Sequence, residues 1–254
     1  MDDTERRDAA IAALAERRYE RAGEEYTRAA WQRLADPREG LSPFEADDRG
    51  WVGRGLEFLT AATLAYRVGD RETRASRRAV EGVAVARDLE TALERPAQRA
   101  CLREFVADFR VAGDVGDATA AYDDAVAAYE TAAEAVEDPR DWGTRPLFEA
   151  AAAGLKQVAR GLENGEIAVT WEDLHGSDPA RPGDFLAARA RFKRARFPSL
   201  VERAVADGHL AAPRGTTEYD NATYRCPACG SSDVNWVGDA TLCLRCSTPV
   251  EGTG

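Results

Sequence analysis

Two Cys-x-x-Cys pairs, Cys226/Cys229 and Cys243/Cys246, stand in the C-terminal part of the chain with thirteen residues between them. A tight turn lets two cysteines at this spacing grip one ion, and two such turns facing each other complete a tetrahedron of the kind zinc prefers. Four protein ligands leave no position open for water, so the spacing predicts one structural Zn2+ rather than a catalytic one. A segment this short has little apolar surface to bury. Metal binding would supply most of its folding free energy, about 10–16 kcal/mol for structural zinc sites. Disulfides would require an oxidising compartment. Met1-Asp2-Asp3-Thr4-Glu5 is acidic and no apolar core follows it, which is unlike a signal peptide, so a cytoplasmic protein is expected. Cys101 stands alone in a helical pattern and reads as a small buried residue.

The residues around the pairs agree with the metal reading. In Cys226-Pro227-Ala228-Cys229-Gly230, proline fixes one φ and Gly230 can take the left-handed conformation that a metal knuckle needs. The second pair is followed by Ser247, a less suitable residue for that conformation. Between the pairs, Val234–Val237 and Thr241–Leu242 are β-prone and Gly238-Asp239 is a hairpin turn signal. This stretch resembles the zinc ribbons of the type found in transcription factor IIB, with a CPxCGS opening, a central GD turn and a second CxxC. The resemblance covers about 30 residues and implies a small β ribbon around one zinc, with transcription as the process to consider first.

Upstream of the ribbon the chain reads as helix. Ile11, Leu14, Tyr19, Ala22, Tyr26, Ala29 and Leu34 recur at helical spacing over residues 4–35, and Asp36-Pro37 ends that pattern. Ser42-Pro43 can open a second helix, which continues through Leu56, Leu59, Leu64 and Tyr66. Further helices are expected over 71–93, from Pro96 to a break at Gly113-Asp114, over 118–136, and over 147–162. Leu102, Val106, Phe109, Ala118, Tyr122 and Ala125 outline a helical hairpin, and Leu59, Thr63, Tyr66, Ala75, Ala79 and Gly82 outline a similar one. These hairpins weakly resemble tetratricopeptide repeats, although their spacing is wider than the ~34 residues of that repeat. The predicted fold class is mainly α: antiparallel hairpins, repeat-like or a bundle, over residues 1–163, with a β ribbon over 224–254.

Composition matters to the choice of partner. Acidic residues outnumber basic ones 45 to 34, the net charge is −11, and Lys156 and Lys193 are the only lysines. This acid-rich, lysine-poor style resembles that of halophilic archaeal proteins, whose charged surfaces stay hydrated when salt screens long-range interactions. No apolar run approaches the ~20 residues of a membrane span.

Residues 164–210 form a joining region and 211–223 a polar stretch read as a tether. Ile167–Trp171 is β-prone, and Asp184 is placed to cap a helix running to Arg196. Pro198-Ser199 restarts a helix, with Ser199 and Glu202 at capping-box spacing. Arg189, Arg191, Lys193, Arg194 and Arg196, interleaved with Phe185, Phe192 and Phe197, make the densest basic stretch. Arginines and aromatics of this kind can grip phosphates and stack on bases. Alternatively the phenylalanines face the core and the arginines pair with acidic helices.

His175 and His209 are the only histidines, and no phosphate loop, nucleophile elbow or HExxH pattern occurs. The sequence therefore predicts a non-enzymatic zinc-ribbon adaptor or regulator with a protein partner and no small-molecule substrate. The alternative is a nucleic-acid binder that uses residues 189–196 together with the ribbon.

Overall fold

The computed structural model describes residues 2–35, 49–160 and 169–252, with side chains from residue 52 onward in the second stretch. The expected break at Asp36-Pro37, the helix start at Ser42-Pro43 and residues 161–168 lie outside the described residues.

The helices are α1 (Asp3–Ala15), α2 (Tyr19–Ala35), α3 (Arg49–Val68), α4 (Glu72–Ala92), α5 (Pro96–Gly113) and α6 (Ala118–Ala132). After a 3-10 turn at Ala133–Ala135 come α7 (Pro139–Gly143), α8 (Pro146–Ala159), α9 (Trp171–His175) and α10 (Pro182–Ala206). Three strands, β1 (Thr216–Glu218), β2 (Val234–Val237) and β3 (Ala240–Cys243), form an antiparallel sheet in the order β1-β2-β3. The fold is mainly α with a small β unit beside the cysteines, as the sequence predicted. Among the described residues no helix is long and apolar enough to cross a membrane.

Successive helices from α1 to α6 pack on one another in chain order, α10 lies along α6, and α8 fits against α3 and α5. Small residues let these helices approach. A Cβ on Gly82 of α4 would overlap the Phe109 ring of α5, and a Cβ on Gly23 of α2 would lie 2.8 Å from the Tyr66 ring of α3. Glycine at such a site gives up about 1 kcal/mol of helix propensity relative to alanine. In return an aromatic ring is buried whole, which is worth more.

The structure departs from the sequence reading in several places. Residues 4–35 are two helices, because Arg17 takes a left-handed conformation (φ 57) at a turn that contains neither glycine nor proline. Val169–Trp171 is no strand: Thr170 caps α9, its hydroxyl accepting a hydrogen bond from the Asp173 N–H. Pro198 does not interrupt α10. The neighbouring Phe197 is fully buried, and its packing outweighs the hydrogen bond that proline removes. Ser199 accordingly caps nothing, and its hydroxyl donates back to the Arg196 carbonyl. The N-cap of α10 is Arg181 rather than Asp184. Finally, the expected tether contains β1, which pairs with β2, and begins with the buried residues Ala211 and Ala212.

Candidate metal centre

Cys226 and Cys229 sit on the turn before β2, Cys243 ends β3, and Cys246 follows on the next turn. Both turns are built alike. Gly230 N–H donates to the Cys226 carbonyl and Ser247 N–H to the Cys243 carbonyl, at 2.9 and 3.0 Å. Each closing residue is left-handed, with φ 74 at Gly230 and 59 at Ser247. The turns present backbone N–H groups to the sulfurs: those of Ala228 and Cys229 to Cys226, that of Ser231 to Cys229, and those of Arg245 and Cys246 to Cys243. Such donors favour a thiolate over a thiol.

The four Sγ atoms lie within 4.8 Å of one another, the one group of this kind among the described residues. Cys226–Cys246 and Cys229–Cys243 are 3.5 Å apart, and Cys229–Cys246 3.7 Å. Zinc–sulfur bonds of about 2.3 Å in a regular tetrahedron separate sulfurs by about 3.8 Å. The spacing thus suits one tetrahedral ion, and all four cysteines are free of disulfides. Burial raises the thiols of Cys229 and Cys243. At Cys226 burial also acts upward, but the N–H donors outweigh it and bring the thiol down to about 7. Four thiolates this close repel one another unless a cation sits among them, so the donor set fits a metal such as Zn2+.

The ribbon is seated on the helical body. Ile11 of α1 packs with Ala212, Val237 and Leu242 in one buried cluster. Arg160, at the end of α8 and 2 % exposed, donates to the carbonyls of Ala212 and Leu244. Gln157 donates to the Ala211 carbonyl at 2.9 Å. Ser247 explains its own presence here: its hydroxyl accepts the Ala212 N–H at 3.1 Å. A glycine would make the turn more easily but would leave that buried N–H without its partner.

Compared against protein families, curated proteins and solved structures, the chain matches none at a significant level. Function must therefore be read from the chemistry.

The basic stretch is divided by the helix period. Arg189 and Lys193, one turn apart on α10, point inward and are 2 % and 0 % exposed. Arg189 grips Glu104 of α5 with Nε and Nη2 at 2.7 and 2.9 Å. Lys193 meets Glu104 at 2.8 Å and Asp108 at 2.5 Å, and donates to the Ala151 carbonyl of α8. Tyr129 donates to Glu104 and Tyr122 to Asp108, each at 2.7 Å. Two cations and two carboxylates thus balance in the core, with no surface left for a phosphate. Arg191 and Arg194 are on the outside, paired with Glu130 and Asp184 and with Asp123, and Arg196 is exposed.

Sequence reasoning missed Glu104 and Asp108. Their signal was a pair of carboxylates one turn apart in a helix most of whose other residues are apolar and buried, where a buried charge needs a partner. Cys101 is buried beside this network, and burial raises its thiol to about 12. The His175 ring lies tilted against Trp171 with centroids 3.9 Å apart, and burial lowers its pKa to about 4.

Proposed function

We propose that this protein is a non-enzymatic adaptor or regulator, with one structural zinc at Cys226, Cys229, Cys243 and Cys246. The helical domain and the ribbon together offer a surface to a protein partner, with transcription the first process to test. The observation that carries this reading is the seating of the ribbon on α1 and α8, with its ligands all supplied by protein. An ion held in that way shapes a surface rather than performing chemistry. Exposed aromatics suit a partner surface, and Trp171 and Tyr219 are 54 % and 45 % exposed. The acid-rich, lysine-poor composition fits work in a salt-filled cytoplasm. The uptake of Arg189 and Lys193 into the core counts against the nucleic-acid alternative.

Photo-cross-linkers placed at positions 171 and 219 of the zinc-loaded protein, activated in cells and read by mass spectrometry, test the proposal. A recurrent protein adduct at either position supports the adaptor. Nucleic-acid adducts that disappear in an R191E/R194E variant favour the alternative, and no adduct at either position overturns the adaptor.

A further inference from the structure

A cleft of about 220 Å³ opens at the seam between the helical body and the segment leading into the ribbon. Its walls come from α1, α2, α3, α8 and Pro213-Arg214. Among the described residues Arg7, Arg54, Lys156, Arg160 and Arg214 line it with one carboxylate, Glu57, and Arg7 is paired with Asp8 at 3.2 Å. In a chain of net charge −11, the described lining of this cleft is a local excess of cations. Glu57 is engaged already, with Arg54 Nη1 at 3.0 and 2.8 Å from its two oxygens. Arg160 donates to backbone carbonyls, and Arg214 donates to the hydroxyls of Thr217 and Tyr219.

Two further side chains point to a ligand. Tyr26 lines the cleft and is only 2 % exposed, and its buried hydroxyl has no hydrogen-bond partner among the described residues. A buried hydroxyl left in that state costs about 1–3 kcal/mol. A polar ligand atom in the cleft would satisfy it. Lys156 is one of only two lysines. The other, Lys193, is sealed into the core by two carboxylates, whereas no carboxylate lies within ion-pair distance of Lys156 among the described residues. Phe58 and Ala61 supply an apolar wall.

We propose that this cleft binds a small phosphorylated metabolite, its phosphoryl group held by the cations and its organic part lying against Phe58. A phosphoryl dianion offers several acceptor oxygens to converging cations and to Tyr26, which a single carboxylate does less fully. The volume is below the about 300 Å³ at which drug-sized pockets begin, so the ligand is of sugar-phosphate size and not a dinucleotide. Because Arg160 and the Pro213-Arg214 segment also join the ribbon to the bundle, the ligand would sit where it can steady that joint.

The test is titration calorimetry on the zinc-loaded full chain, with inorganic phosphate, ribose 5-phosphate and neutral ribose as probes. The expected result is saturable binding of both phosphates, ribose 5-phosphate the tighter, and no heat from ribose. Lys156→Gln should weaken binding about ten- to hundredfold, and Tyr26→Phe about tenfold. Tyr26→Phe should leave the unfolding temperature of the ligand-free protein unchanged or raised, which separates lost binding from lost folding. No binding of either phosphate, or the same affinity in wild type and both variants, would overturn the proposal.

Discussion

The buried ion cluster of the helical body and the cysteine cluster of the ribbon solve one problem in opposite ways. Each gathers charge or incipient charge away from water. In the helical body the protein supplies both signs: Arg189 and Lys193 against Glu104 and Asp108, with Tyr122 and Tyr129 donating to the carboxylates. In the ribbon four sulfurs converge with no protein cation among them in the described residues, so as thiolates they would take their compensating charge from a bound metal. The first region carries its counter-charge in its sequence. The second depends on what it binds.

The largest effect should come from removing the metal. Chelation, or Cys243→Ala, is expected to forfeit the about 10–16 kcal/mol of a structural zinc site and unfold the ribbon. The helical body, closed by its own ion pairs, should keep its helix content by circular dichroism. Simultaneous loss of both would show that the two regions are one cooperative unit and that the contrast between them does not hold.

Breaking the protein-supplied balance comes next. Lys193→Met strands Asp108 and leaves Glu104 with Arg189 alone. Urea denaturation should register a loss of about 3–5 kcal/mol, as for other buried pairs that lose one partner. Zinc stoichiometry should stay at one per chain. A loss below about 1 kcal/mol would mean that the cluster is not closed in solution.

pH sharpens the picture, because the two carboxylates pull in opposite directions. Burial pushes Glu104 upward, but Arg189 and Lys193 outweigh it and bring it from 4.5 down to about 2. The unfolded chain then holds this proton more tightly than the native one, so the stabilisation is complete above about pH 4.5 and lost as pH falls through about 2. For Asp108 burial is only partly offset by Lys193, and the carboxyl rises from 3.8 to about 6. Its contribution is complete below about pH 3.8 and lost as pH rises through about 6. Urea midpoints measured across this range for wild type and Asp108→Asn should differ in the upper limb, which the variant lacks. Parallel curves would refute the assignment.

Ser247 offers the smallest and most local test. Ser247→Ala keeps the left-handed backbone but deprives the Ala212 N–H of its acceptor, for an expected loss of about 1–2 kcal/mol. Ser247→Gly also removes the acceptor but relieves the backbone, and should be milder by about 1 kcal/mol. Hydrogen exchange at Ala212 reads both. Equal protection in all three proteins would show that the seam does not rely on this bond.

Much of this was legible beforehand. The cysteine spacing and the Gly238-Asp239 turn located the metal site and the hairpin, because knuckles and two-residue turns are local chemistry written in adjacent residues. The period of Leu102, Val106 and Phe109 likewise placed α5, since a helix repeats every few residues. What could not be read depended on distant partners. Arg189 and Arg191 are two residues apart with the same side chain, yet one is sealed in the core and the other lies on the surface. Only the meeting of α5 with α10 decides between them. Likewise Ser247 is a poor choice for its turn until Ala212 is set against it.

By itself, then, the sequence determined most of the helices, the ribbon hairpin and the four cysteines that could hold a metal ion, because each rests on contacts between near neighbours in the chain. The tertiary structure alone decided which basic residues are buried, how the ribbon is seated, and where a cation-rich cleft opens at the seam. Those outcomes turn on desolvation and pairing between groups far apart in the chain, 85 residues for Arg189 and Glu104, and no local pattern encodes which partner will arrive.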